Sequence, residues 1–296
     1  MAMKTTPSIE LLLDRSGSMA MNDISPTRYK ALHTALTSAT GAITQTQADV
    51  YFGAALFSGD FNPCPPNAQL DQSATQNTSV ARALNNANAI DALIASNTPS
   101  GSTPTADWVT AVTADFGANP PPMGSPPLIL LATDGEPNAC GNGNDNGAAV
   151  AAAQAAYAAG VRLFIIGLQL NDQTAIQFLQ DMANAGTGMP TGQAPMCAGC
   201  APYYTANNPT DLVNGVNAII SGVLSCDLTL SGQVDPTQAS QGTVTLNGMM
   251  LTYGTDWTVT GGGTTLELLG SACSMLEAST NPQVDASFPC GDVIIQ

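Results

Sequence analysis

The stretch that most restricts the fold is Ile9-Glu10-Leu11-Leu12-Leu13-Asp14-Arg15-Ser16-Gly17-Ser18-Met19. An apolar run long enough for one buried strand ends on an aspartate, and two serines follow at a spacing of two. In open α/β sheets the ligand crevice lies beyond the carboxyl ends of the strands, so a strand of this kind carries its carboxylate to that place. Gly17 permits a tight loop that turns both hydroxyls toward Asp14. One carboxylate and two hydroxyls are hard oxygen donors, a partial shell for Mg²⁺ or Mn²⁺ that water completes. The competing structural reading is that Asp14 caps a turn while the serines satisfy backbone groups.

Two further segments weigh against that plainer reading. Ser102-Thr103-Pro104-Thr105-Ala106-Asp107 leads into a helical stretch, and Leu128-Ile129-Leu130-Leu131-Ala132-Thr133-Asp134-Gly135 is a second apolar run ending in Thr-Asp-Gly. With Asp14-x-Ser16-x-Ser18, these segments resemble the metal-ion-dependent adhesion site of von Willebrand factor type A domains. The resemblance covers residues 8–225 and implies one Mg²⁺, Mn²⁺ or Ca²⁺ held by Asp14, Ser16, Ser18, Thr105 and Asp134. It also implies a protein partner whose Asp or Glu carboxylate completes the shell, and no catalytic residue. Arg15 stands where the family often has a small residue. It is placed with Thr103, Gly135 and Glu136 at the ligand rim, where its charge attracts an acidic partner.

Along the rest of this region strand and helix alternate at βαβ spacing, which predicts an α/β fold with a doubly wound, mostly parallel sheet flanked by helices. Ser25-Pro26 reads as an N-cap followed by Pro at the first helical position, opening a helix of about 18 residues on Tyr29, Leu32, Leu36, Ala39 and Ile43. His33, the only histidine, falls in its middle as a surface or packing residue; no nearby Ser or Cys makes a triad with it. Asp49 to Phe57 reads as a strand, which the resemblance places antiparallel at the sheet edge. Val80 to Ser96 reads as a short helix and Ala106 to Phe116 as another. The unalternating runs at Leu128 to Ala132 and Val161 to Leu168 suit parallel strands buried on both faces. Helices are expected at Ala148 to Ala159, Asp172 to Ala185 and Pro209 to Leu224, with a short strand at Tyr203-Tyr204. Asn77-Thr78-Ser79 matches a glycosylation sequon, a match close to chance in a polar loop.

From Cys226 the pattern changes to short Thr-rich strands between glycine turns, with Asn247-Gly248 as a hairpin signal. Ser274 to Ala278 reads as one helical turn and Ala286 to Ile295 as a last strand. The domain reading is therefore an N-terminal tail (1–7), an A-type domain (8–225) and a small β-rich C-terminal domain (226–296). An A-type domain followed by such a tail loosely resembles secreted bacterial proteins of myxobacterial type. Seven cysteines leave at least one thiol unpaired within the chain. Cys197-Ala198-Gly199-Cys200 lacks the strand–helix context of a redox pair and the second pair of a zinc site, so a local disulfide is expected. Cys273–Cys290 is the first choice for a staple in the tail.

Charge decides among function classes. Six basic against 22 acidic residues give a net charge of −16, which disfavours nucleic acid and anionic membranes alike. No run approaches the length of a membrane span. The first residues carry no apolar leader core, so the chain is either intracellular or one whose leader has been replaced. The cysteines and the wealth of Asn, Gln, Thr and Gly point to an extracellular or cell-surface setting. The alternative is a non-catalytic A-type subunit of an enzyme machine such as a chelatase or ATPase, which expects a cytoplasmic, cysteine-poor chain. No Gly-x-Ser-x-Gly elbow or His-rich zinc motif supports a hydrolase.

Overall fold

The computed structural model describes the chain outside residues 1, 4–5, 60–69, 71–77, 124, 139–144, 171, 198–199, 224–225, 279–282, 290–292 and 295–296. Asn77, Cys64, Cys290 and most of the loop at 141–147 therefore lie outside the described residues. The chain divides into two compact units, Pro7–Ile219 and a second that joins Ile220–Gln296 to Met1–Thr6.

Strand β1 (Ala2–Met3) belongs to the second unit. The first is built on β2 (Ser8–Asp14), the apolar run singled out above, whose seven residues are all buried. Leu11, Leu12 and Leu13 are fully enclosed, and each contributes about 2 kcal/mol of transfer free energy. Because side chains alternate, enclosure of all three requires cover on both faces. Leu12 sits in a cluster with Trp108, Val109, Ala153 and Leu179, from α4 (Thr105–Ala118), α5 (Asn146–Ala158) and α6 (Gln173–Thr187).

The six-stranded sheet runs β4-β3-β2-β5-β6-β7, with β3 (Tyr51–Phe57), β4 (Ser79–Ala83), β5 (Pro127–Thr133), β6 (Arg162–Leu168) and β7 (Tyr204–Ala206). All neighbours are parallel except β3 and β4. The chain starts in the middle at β2, moves out to β4, and returns to the other side of β2 as β5. The strand order thus reverses between β2 and β5, which is where open α/β sheets bind ligands.

Three expectations need correction. Asp49 to Phe57 is neither antiparallel nor at the edge: β3 is parallel to β2 and interior. The antiparallel edge strand is β4, inside the stretch expected to be helical. Its Val80, Leu84 and Ala87 happen to fit a helical period, but Arg82 points inward to Glu10 and Asn85 turns the chain with φ 55°. Only α3 (Ala87–Ala95) is helical there. The long helix after the serine loop is two pieces, α1 (Arg28–Thr37) and α2 (Ala42–Thr46). Thr27 caps α1 by accepting from the Lys30 N–H, whereas Pro26, after a cis peptide bond, lies in the preceding turn. α1 ends where Ser38 turns to ψ 169°, and Gly41, which opens α2, packs against the Leu36 carbonyl so closely that a Cβ would collide with it. His33 lies half-buried against Asp91 of α3, 2.7 Å away.

Helix α7 (Pro209–Val223) contains the division between the units. The second unit has its own core of Leu228, Val244, Leu246, Trp257, Leu266 and Leu268 among others. β1 pairs antiparallel with β8 (Asp227–Leu230), and β9 (Gln233–Val234), β10 (Thr243–Leu246) and β11 (Met249–Leu251) follow. Asn247 and Gly248 both take positive φ between β10 and β11, as the hairpin signal requires. β12 (Trp257–Thr260), β13 (Thr265–Leu268), α8 (Gly270–Ala278), β14 (Val284–Ser287) and β15 (Val293–Ile294) complete the unit. The expected single turn at Ser274 is thus a nine-residue helix. Cys273 bonds to Cys226, not to Cys290. The two cysteines are 47 residues apart, and closing a loop of that length in the unfolded chain is worth roughly 4 kcal/mol. Cys197 and Cys200 form the expected local disulfide.

Candidate metal centre

Two strand ends meet at the switch point. Leu13 pairs with Ala132, so Asp14 and Thr133 come next as β2 and β5 run out, and Thr133 Oγ1 donates to Asp14 Oδ2 at 2.7 Å. The Ser16 N–H donates to Asp14 Oδ1 at 2.7 Å. The Gly17–Ala20 segment is a single 3₁₀ turn that stacks the two serine hydroxyls, Ser16 Oγ and Ser18 Oγ, 3.1 Å apart. Ser18 Oγ then donates to Asp134 Oδ1 at 2.8 Å. The side chains of Ser16, Ser18 and Asp134 are therefore linked hydroxyl to hydroxyl to carboxylate, and Asp14 joins them through the Ser16 backbone N–H.

The fifth, Thr105, is the first residue of α4 and is buried. Its loop is held against the serine loop: Gly17 N–H donates to the Gly101 carbonyl at 3.0 Å and Ser100 N–H to the Arg15 carbonyl at 2.8 Å. Gly101 adopts φ 79° to make this approach. Thr103 and Asn138 exchange backbone hydrogen bonds, tying the threonine loop to the segment after Asp134. Thr105 Oγ1 makes only a long bond of 3.4 Å to the Thr103 carbonyl, so its oxygen is little committed.

The expected rim is only partly at the surface. Arg15 is a correction: it is buried, and its Nη1 donates to the Thr98 carbonyl at 3.0 Å and to Ser100 Oγ at 3.4 Å. It is tied to the segment before the threonine loop and does not stand out at the surface. Thr103 is buried as well. Gly135 and Glu136 are half-buried, and Glu136 Oε1 accepts from Asn146 Nδ2.

Burial pushes the Asp14 carboxyl up to about 7 and the charge of Asp134 adds to the rise, while hydrogen bonds from Thr133 and Ser16 pull it back. A fully buried Asp14 that also feels the charge of Asp134 is costly to keep ionised without a cation beside it. Their oxygens, with the hydroxyls of Ser16, Ser18 and Thr105, fit a hard divalent ion. Among the described residues no three His, Cys, Asp or Glu gather in one cluster, so a metal here depends on hydroxyl ligands.

Residues missed from sequence complete the site. Arg28, the first residue of α1, donates through Nη1 to Asp134 Oδ2 at 2.7 Å. Its Nε and Nη2 fork onto the two oxygens of Asp23 at 2.8 and 2.5 Å. Hydrogen bonding to Arg28 holds the Asp23 carboxyl below its usual range. The one legible signal was the scarcity of cations: Arg28 is one of six basic residues in 296 and lies just past the serine loop.

No curated relative matches the chain. Solved structures share its fold at low identity. The pilus adhesin SpaC from Lactobacillus rhamnosus GG aligns at TM-score 0.56 and 17% identity, over 89% of this chain and 37% of its own length. A von Willebrand factor type A protein from Catenulispora acidiphila gives 0.51 and 13%, over 89% and 54%. Manganese-loaded TRAP from Plasmodium vivax gives 0.50 and 18%, over 76% of each chain. The chain thus spans little more than a third of the adhesin's length. The profile of the von Willebrand factor type A domain matches residues 9–192, more than half of the sequence, and the chain belongs to that family.

Proposed function

We propose that this chain is a divalent-metal-dependent protein-binding module of the adhesion type, working outside the cell or at its surface. The observation that carries the reading is the meeting of Asp14 and Asp134 at the switch point through the serine loop, whose Ser16 N–H donates to Asp14 Oδ1 at 2.7 Å and whose Ser18 Oγ lies 2.8 Å from Asp134 Oδ1. Asp14, Ser16, Ser18, Thr105 and Asp134 would hold Mg²⁺, Mn²⁺ or Ca²⁺, and the ion supplies an open coordination position. Only two of these five side chains are anionic, so the shell keeps affinity for one more anionic oxygen. A net charge of −16 repels free anions at long range. An Asp or Glu presented on a docked protein avoids much of that penalty, because neighbouring contacts hold it in place.

Thr103, Gly135 and Glu136 then border the opening, while Arg15 is tied to the segment before the threonine loop. A pilus adhesin and a manganese-loaded protein among the structural neighbours support this reading. Two disulfides suit an oxidising compartment and speak against the cytoplasmic machine subunit. No described helix is long and apolar enough to cross a membrane. The test is a pull-down of surface and secreted proteins with Mg²⁺ and with EDTA, followed by substitution of the captured partner's acidic residues one at a time. Capture that survives EDTA unchanged overturns the mechanism.

A further inference from the structure

Asp134 and Asp14 are treated differently by the protein. Asp14 accepts from the Ser16 N–H and the Thr133 hydroxyl, both neutral donors. Asp134 accepts from the Ser18 hydroxyl on Oδ1 and from the Arg28 guanidinium on Oδ2. Arg28 is well anchored. Its backbone N–H donates to the Met21 carbonyl at 2.9 Å, its Nε and Nη2 grip Asp23, and its side chain is only 10% exposed. The chain thus carries its own cation beside one of the two carboxylates expected to hold a metal ion.

We propose that Arg28 is a built-in counter-ion that competes with the divalent ion for Asp134 and sets the affinity of the site. This rests on the metal-binding reading above. A fixed guanidinium on Oδ2 neutralises part of the charge that a divalent ion would use, and its own charge repels that ion across a buried site. In return it stabilises Asp134 while no metal is present. Asp23 tunes the effect: as the other anion on Arg28, it draws part of the guanidinium charge away from Asp134. Arg28 is a positioning and affinity-setting residue, since it contacts a ligand side chain and not the ion.

Competition and simple orientation of Asp134 differ in sign. If Arg28 competes, Arg28→Gln binds Mn²⁺ about tenfold more tightly than the parent, and Mn²⁺ raises its melting temperature further. Asp23→Asn, an exposed change, shifts affinity the other way by about threefold, because Arg28 then rests on Asp134 alone. If Arg28 only orients Asp134, Arg28→Gln binds more weakly and Arg28→Lys restores part of the loss. The experiment is calorimetric titration of the full chain and its three variants with MnCl₂, with thermal melts with and without Mn²⁺. Tighter binding in Arg28→Gln with weaker binding in Asp23→Asn supports the proposal. Equal or weaker binding in Arg28→Gln overturns it while leaving the metal site standing. Should Arg28→Gln fail to fold, Asp23→Asn decides alone, and an affinity equal to the parent's overturns the proposal. No Mn²⁺ binding by the parent overturns the metal site and this proposal together.

Discussion

The central sheet carries a carboxylate–arginine cluster toward each end of one strand, and the two are built to opposite purposes. Glu10, Leu12 and Asp14 alternate onto the same face of β2. At Asp14 the candidate site has two carboxylates, neighbouring hydroxyls and an arginine, Arg28, that bonds Asp134 and Asp23 but not Asp14. At Glu10 a single arginine serves both carboxylates: Arg82 Nη1 lies 3.0 Å from Glu10 Oε2 and 2.8 Å from Asp115 Oδ2. Its guanidinium stacks over the Phe116 ring at 3.9 Å. Gly53 on β3 makes room, since a Cβ there would collide with Glu10 and Arg82. Each end thus has one arginine for two carboxylates, and what differs is where it sits. Arg82 bridges both of its carboxylates and fastens the edge strand β4 to the core. Arg28 bonds Asp134 and not Asp14, so the oxygens of Asp14 are left without a cation of the protein's own. The placement of the cation, not its number, separates the structural ion cluster from the candidate binding site.

The largest expected effect lies at the structural end. Above pH 8, where Glu10 is ionised in the parent, Arg82→Met leaves Glu10 and Asp115 without their shared cation, and breaking a buried pair from one side costs about 3–5 kcal/mol. Denaturant melts should show that loss, while Mn²⁺ affinity of the folded fraction stays at the parent's value. A stability within about 1 kcal/mol of the parent would make the Glu10 cluster ornamental and dissolve the contrast.

Next comes Asp14→Ala, which removes charge that a hard cation needs. Affinity for Mn²⁺ by calorimetry is expected to fall by at least about 100-fold, the upper range for losing a mere supporting residue. Fold stability without metal should hold or rise, because a buried carboxylate destabilised by Asp134 is gone. Equal affinity in variant and parent would refute the ligand assignment.

These contrasts also bear on what the sequence could say. The strands at Ile9 to Asp14, Leu128 to Ala132 and Val161 to Leu168 were legible because they are buried on both faces and read as unbroken apolar runs. β4 was not, because five residues at an edge with one buried face carry little pattern, and Val80, Leu84 and Ala87 imitate a helical stripe. Asp14, the two serines, Thr105 and Asp134 were legible since each stands at a strand end or helix start in a fixed local pattern. Arg28 and Arg82 were not, because their partners, Asp134 and Glu10, lie 106 and 72 residues away, and the pairing depends on strand order. Glu10 could have been noticed: a lone charge inside a run with no other polar residue needs a buried partner. Arg15 misled for the opposite reason, since adjacency to Asp14 suggested the rim while its hydrogen bonds tie it to the segment before the threonine loop.

A smaller effect follows from pH at the structural end. Burial pushes Glu10 up to about 8 against the pull of Arg82, whose charge is shared with Asp115, which itself adds to the rise. A folded value above the unfolded one means that the favourable contribution is complete at low pH and is lost as pH rises toward and through about 8. Glu10→Gln should therefore gain on the parent in thermal melts between pH 5 and pH 9. The expected gain is on the order of 5 °C, or about 2 kcal/mol at 2–4 °C per kcal/mol for a chain of this size. A difference constant across that range would mean that Glu10 stays ionised and fully paired.

The smallest effect ties the two ends together, because Asp14 is also raised, to about 7, by burial and by Asp134. A metal ligand must be deprotonated, so protons and the ion compete for Asp14 when no metal is bound. Above pH 8 the carboxylate is already ionised and apparent Mn²⁺ affinity should be flat. Between pH 8 and pH 6 the ionised fraction falls about tenfold for a group titrating near 7, and apparent affinity should fall by about the same factor. Binding should release close to one proton at pH 6 and almost none at pH 8.5, which calorimetry in buffers of different ionisation enthalpy reads directly. Glu10→Gln is the internal control: its carboxyl is also raised, yet it lies away from the proposed shell, so removing it should leave both the affinity profile and the proton count untouched. If Glu10→Gln flattens the profile, the two ends of β2 are electrostatically coupled and cannot be assigned separate purposes. If the parent's profile is flat from pH 6 to 8 while Mn²⁺ still binds, Asp14 is ionised without the metal, and the driving force attributed to the buried carboxylate pair is absent.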